Sequence, residues 1–139
     1  AETVEVDASG RRDAELDAED LDQRDDLPPG VEVFRIAGPF FFGVAGELLD
    51  TLRRVGQSPR VIILRMRLVP LLDASGAQAL EEFVEQARLA GAQIILSGVQ
   101  PQPRSMLERV GLGETSMKLS HAANYARAQA LAVELLEKT

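Results

Sequence analysis

The sequence contains no cysteine and no tryptophan, and only one tyrosine (Tyr125) and one histidine (His121). Without thiols there is no disulfide framework, no thiolate metal site and no cysteine nucleophile. With a single imidazole there is no multi-histidine centre, so no metal site is expected. Long hydrophobic runs are missing too. The most apolar stretches, Ala37 to Ala45 and Val69 to Leu72, fall well short of the roughly 20 residues that span a bilayer. The first residues, AETVEVDASGRR, are acidic and polar and do not read as a signal peptide. The opening Ala in place of Met is what a piece of a longer chain, or a chain trimmed of its initiator, would show. What is present is a globular balance: 139 residues, 45% hydrophobic and 27% charged. That length suits one domain with its own core.

Charge is unevenly placed. Residues 1–30 hold 11 Asp/Glu against 3 Arg, a net of −8, whereas residues 31–139 hold 11 against 12 Lys/Arg, a net of +1. Neither part has a basic stripe, so nucleic acid is not an expected partner. RRDAELDAEDLDQRDDLPPG is dense in charge and poor in apolar residues. It reads as a flexible acidic linker or tail over 1–30, closed by Pro28-Pro29-Gly30. Within it, Thr3 to Val6 could add an edge strand. The tetrapeptide DASG occurs at 7–10 and 73–76, but the flanks differ and the repeat is chance.

From Val31 onward strands and helices alternate, which makes 31–139 the domain proper. VEVFRIA (31–37) alternates and is rich in branched residues, the pattern of a strand. Phe40-Phe41-Phe42 can form a short second strand, with at least one or two rings in the core. Ala45, Leu48, Leu49, Leu52 and Val55 recur at helical spacing. RVIILRMRL (60–68) is the near-continuous apolar run of a strand buried on both faces. A helix follows with Ala77, Leu80, Val84 and Ala87 inward and Gln78, Glu81, Glu82 and Glu85 outward, stopped at Gly91. QIILSGV (93–99) is a further buried strand. QPQP precedes a short helix carrying Met106, Leu107 and Val110, closed at Gly111. SMKLS (116–120) reads as a short strand. Ser120 then caps a last helix with Tyr125, Ala128, Ala132, Leu135 and Leu136 inward. The expected fold is α/β, a mostly parallel sheet of about five strands flanked by about four helices.

Sites in such sheets lie at the carboxyl ends of strands, where helices begin. This points to three joints, 69–76, 98–104 and 119–121. The first, Leu71-Leu72-Asp73-Ala74-Ser75-Gly76, is the most informative. A phosphate on Ser75 would meet backbone N–H donors at a helix start and would change the local surface charge. The spacing alone favours a plainer role, with Ser75 and Gln78 as a capping box and Asp73 at the same helix end. Asp73, Gly76 and Arg104 are candidate contacts for an anion or a partner near helix N-termini. A nucleotide or oxyanion would use the helix starts at 75–77 and 103–105, helped by Arg104. Arg65 and Arg67 share one strand face, where they read as a solvated or salt-bridged pair. His121 reads as a surface residue in the first turn of a helix. There is no P-loop and no nucleophile elbow. No acid, base and nucleophile converge, so neither an enzymatic activity nor a cofactor is expected.

The order of elements and the Asp73-Ala74-Ser75-Gly76 joint resemble a STAS domain, the fold shared by sulphate transporters and anti-sigma factor antagonists. FRIAGPFFFGVA (34–45) and PRVIILRMRLVPLLDASG (59–76) are more specifically similar to the cytoplasmic C-terminal STAS domain of bacterial SulP-type anion transporters. The resemblance covers about residues 31–138. It implies a STAS fold and a non-catalytic regulatory or interaction domain, hung behind a transmembrane anion-transport unit. The partners implied are that transmembrane unit, a second copy in a dimeric transporter, and a cytosolic regulatory protein. The location implied is the cytoplasmic face of the bacterial inner membrane. Residues 1–30 would then be the tether after the last membrane helix, the transport unit itself being absent from this sequence. In the antagonist branch the serine at the Ser75 position is phosphorylated, which releases a partner, so the alternative is a free-standing anti-sigma antagonist switched at Ser75. Ala74 departs from that branch, which usually has Ser there, and so do Arg65 and Arg67.

Overall fold

The structure, a computed structural model, describes residues 3–7, 27–54 and 59–138. It is a five-stranded sheet in sequence order, every neighbouring pair parallel. The strands are β1 (Thr3–Asp7), β2 (Val31–Ala37), β3 (Val61–Leu68), β4 (Gln93–Ser97) and β5 (Ser120–Ala122). The helices are α1 (Phe42–Arg54), α2 (Ala74–Leu89), α3 (Pro101–Arg109) and α4 (Tyr125–Glu137). The α/β expectation holds. The edge strand expected at Thr3–Val6 is β1, so part of the acidic stretch enters the sheet. Residues 8–26 and Val55 lie outside the described residues.

The two-residue period of a strand sends alternate side chains to opposite faces. Phe34, Ile36, Ile62, Leu64, Met66, Ile94 and Leu96 therefore join the core under α1, α2 and α3. Val31, Val33, Val61, Ile63 and Ile95 form a second, smaller core with Leu27 and the inner face of α4. In β3, residues 61 to 66 are buried on both faces, as its unbroken apolar run predicts. On α2, Ala77, Leu80, Phe83, Val84 and Ala87 face inward. The Phe83 ring meets Phe34 edge to face, with centroids 6.4 Å apart. Burying each such side chain is worth on the order of 2 kcal/mol.

Four local expectations are corrected. The Phe40–Phe42 strand does not form: Phe40 makes a single bridge to Leu72, and α1 starts at Phe42. Phe40 is buried, but Phe41 is 44% exposed. The fifth strand is Ser120–Ala122 and not 116–120. Ser116 Oγ there accepts the Lys118 N–H at 3.1 Å, and Lys118 reaches to Glu81 and Glu85 of α2. These bonds hold the chain in a turn. The last helix is capped by Asn124, not Ser120, with Asn124 Oδ1 accepting from Arg127 N at 2.9 Å. His121 consequently sits in β5, half-buried, and not in a helix.

Candidate functional site

The carboxyl edge of the sheet is assembled from joints far apart in sequence. At the end of β2 the register shifts between Arg35 and Ala37, and a bulge of this kind redirects the chain. Gly38 N then donates to Leu68 O and Phe40 N to Leu71 O, both at 2.8 Å. Residues 38–40 thus run beside residues 68–72. Asp73 is extended (φ −87°, ψ 173°) and caps α2, its Oδ1 accepting from Gly76 N at 2.6 Å. This corrects the expected Ser75–Gln78 capping box. The chain enters the helix two residues earlier than that box requires, and Ser75 is left on the exposed outer surface of the first turn. Gly76 has no room for a side chain. A Cβ there would stand 2.5 Å from Phe40 O and 2.9 Å from Asp73 Oδ1. The Phe-rich stretch and the Asp-Ala-Ser-Gly stretch are therefore two halves of one joint. Phe41 and Leu71, 44% and 40% exposed, lie at this edge beside it.

The second joint follows β4. Gly98 adopts φ +68°, and its Cα lies against Arg67, whose Cβ would be 3.2 Å from an added methyl group. Glycine is the residue that takes this left-handed conformation without cost. Gln100 Nε2 donates to Arg67 O at 2.8 Å. Gln102 uses both ends of its amide on Leu72: Oε1 accepts from Leu72 N at 2.8 Å and Nε2 donates to Leu72 O at 3.0 Å. Arg104 pairs with Glu114 and donates to Val99 O at 3.3 Å. His121 Nε2 lies 2.9 Å from Leu112 O; a carbonyl can only accept, so that nitrogen carries the proton. Arg104, Glu114, His121, Ala122 and Ala123 line one open depression. Of the predicted residues, the fold places Asp73, Ser75 and Gly76 together at the start of α2. Arg104 belongs to the neighbouring depression with His121.

Arg65 differs from the sequence expectation. It is 4% exposed, and its guanidinium lies 3.8 Å from the centroid of the Tyr125 ring. It is a packed cation–π partner under the first turn of α4 and not a solvated ion. In the sheet register Arg35 stands beside Arg65. Burial, and then the charge of Arg65, lower the Arg35 guanidinium below the usual arginine range. No described helix has an acidic residue in its first turn, so the positive helix ends at this edge are left to the caps and to whatever approaches from outside. Among the described residues no group of His, Asp or Glu could hold a metal ion. Gln100 and Gln102 are not among the residues that sequence pattern points to. The signal that could have found them is QPQP itself, two long amides each followed by a ring-fixed residue.

The STAS domain family model matches residues 25–124. The chain belongs to the STAS domain family. A solved structure of a sulfate transporter family protein from Wolinella succinogenes is 41% identical to this STAS domain. It superposes with a TM-score of 0.70 over 81% of this chain and 93% of its own. The STAS domain of a SulP transporter from Vibrio cholerae is 27% identical, with a TM-score of 0.67 over 84% of this chain and 91% of its own. The Bacillus subtilis (strain 168) protein named "Putative sulfate transporter YvdB" is 31% identical over 93 residues. That match takes in 66% of this chain but only 17% of the Bacillus protein. The chain therefore spans about one sixth of that relative's length. No helix among the described residues is long and apolar enough to cross a membrane.

Proposed function

We propose that this STAS domain is the non-catalytic, cytoplasmic regulatory and interaction domain of a SulP-type anion transporter. The observation that carries the reading is the match over 93% of a solved sulfate transporter family protein at 41% identity. The match to a SulP transporter STAS domain supports it. The partner is the transmembrane unit of the same transporter, paired with a second copy in a dimer, at the inner face of the bacterial inner membrane. The acidic stretch over residues 1–30 joins the domain to that unit, with β1 the part that enters the sheet. The carboxyl edge is the contact surface, with Ser75 exposed beside Phe41 and Leu71 and with Asp73, Gly76 and Arg104 shaping it. Negative charge added at Ser75 would sit at a helix N-terminus, where it is tolerated, and would alter what that surface accepts. A cytosolic regulatory protein would read the same surface. The relatives are transporter proteins, and they do not favour a free-standing antagonist.

An antibody raised against the domain, applied to fractionated host cells, tests the reading. The expected result is a membrane-pellet band several times heavier than the 15.1 kDa of this chain. A band near that mass in the supernatant would overturn the proposal.

A further inference from the structure

The QPQP segment has a role that neither the fold nor the family match assigns. Beyond Leu68 and Ser97 the β3–β4 ladder has ended, and their connections diverge toward α2 and α3. Gln100 and Gln102 continue the pairing with side chains in place of backbone, through Arg67 O and both polar atoms of Leu72. Leu72 is fully buried and is the residue that bridges to Phe40 and precedes the cap Asp73. On the other side, Gln102 shares the first turn of α3 with Arg104, which holds Glu114 and Val99 O. Pro101 and Pro103 flank Gln102. Their rings fix φ, and they lack N–H groups that would be unpaired at a helix start in any case. The amide is thereby presented at a set height with little freedom. Only a carboxamide fits, because Leu72 asks for an acceptor and a donor at once.

We propose that Gln102 is a coupling clamp, and that through it a change at the Ser75 surface is felt at the Arg104–Glu114 depression, and the reverse. This deepens the proposed function by giving the contact surface a second, mechanically linked part. The unit that moves is the stretch from Leu71 to Asp73. Its buried side carries Leu72 in the core, its outer side carries the cap of α2, and its one lateral fastening to α3 among the described bonds is Gln102. A ligand or charge that shifts the α2 start must either break this pair of bonds or drag the first turn of α3 with it.

The experiment is amide exchange and ¹⁵N chemical shifts on the whole 139-residue chain, for wild type, Gln102→Ala, Gln102→Glu and each combined with Ser75→Asp. The Leu72 amide is a direct reporter, since its donor is spent on Gln102 Oε1. Gln102→Ala is expected to speed its exchange about five- to ten-fold, the factor that loss of one hydrogen bond carries. Gln102→Glu keeps an acceptor for that amide and is expected to leave it protected. Ser75→Asp is expected to shift the amides of Arg104 and Glu114 in wild type, and to leave them in place when Gln102 is Ala. Two results would overturn the clamp: Arg104 and Glu114 unmoved by Ser75→Asp in wild type, or equally moved with and without Gln102. Should Gln102→Ala fail to fold, the Glu variant decides. It loses the donor to Leu72 O, so the shift at Arg104 and Glu114 must shrink relative to wild type, and an undiminished shift rejects the clamp. None of these readouts depends on where the native protein resides, so failure here and failure of the transporter reading are separate outcomes.

Discussion

The carbonyl oxygen of Phe40 occupies the place where a side chain on Gly76 would begin, 2.5 Å from the position of its Cβ. Strand β2's exit and helix α2's entry are pressed together there. The joint that presents Ser75 has its depth set by an absent methyl group.

Gly76→Ala must therefore displace backbone, since neither Phe40 O nor the cap Asp73 can give way cheaply. We expect a loss of about 2 kcal/mol, the range seen for overpacking. Gly46→Ala is the contrast. It lies inside α1 with nothing within 4 Å of the added carbon, and should stabilise by about 0.5–1 kcal/mol. Urea unfolding of the two variants beside wild type checks both signs.

Asp73 and Ser75 separate by the same method. Asp73→Ala removes the acceptor for Gly76 N and should cost about 1 kcal/mol. Ser75→Ala should stay within about 0.5 kcal/mol of wild type, as exposed substitutions do. If the serine variant proved the more damaging, the helix would be capped by Ser75 after all.

Arg65 under Tyr125 gives a third test. Tyr125→Leu keeps an apolar cover but removes the π face from a buried guanidinium. We expect a loss of about 2 kcal/mol, the value for a desolvated cation–π contact. Guanidinium chloride midpoints measure it. A variant as stable as wild type would make the stacking incidental.

Lys118 provides a pH test. Its ammonium is raised above the ordinary value of 10.5, first by the hydrogen bond to Glu85 and then by that carboxylate's charge, with Glu81 adding to both. A lysine whose folded pKa is raised contributes stability that is fully present below the unfolded value and is lost as pH rises through the folded value. Wild type should therefore exceed Lys118→Met in melting temperature at neutral pH. The margin should shrink as pH climbs beyond 10.5. A margin that is constant across that window would assign the difference to packing of the lysine stem.

Much of the architecture is legible in the amino-acid sequence. The two-residue period in VEVFRIA, the unbroken apolar run from Val61 to Leu64, and the helical spacing of Ala77, Leu80, Val84 and Ala87 each report a local environment that the chain itself creates. Periodicity is set by backbone geometry, so it survives without knowledge of partners. The serine in an Asp-Ala-Ser-Gly joint and the resemblance to transporter STAS domains are legible in the same way.

The order of strands and helices, the faces they bury and the position of the joint at Ser75 all follow from local residue pattern. Which side chains do the fastening follows only from how the packed elements meet. Asp73 caps in place of Ser75 because the chain enters α2 two residues earlier than a cap at Ser75 requires. Arg65 is buried because Tyr125 arrives over it from the far end of the chain. His121 lies in a strand because the turn at Ser116–Lys118 delays β5. Gln102 reaches Leu72 across a separation of 30 residues. The physical reason is common to all four. Side-chain bonds between distant joints depend on where two backbones meet, and the local hydropathy period carries no information about that meeting.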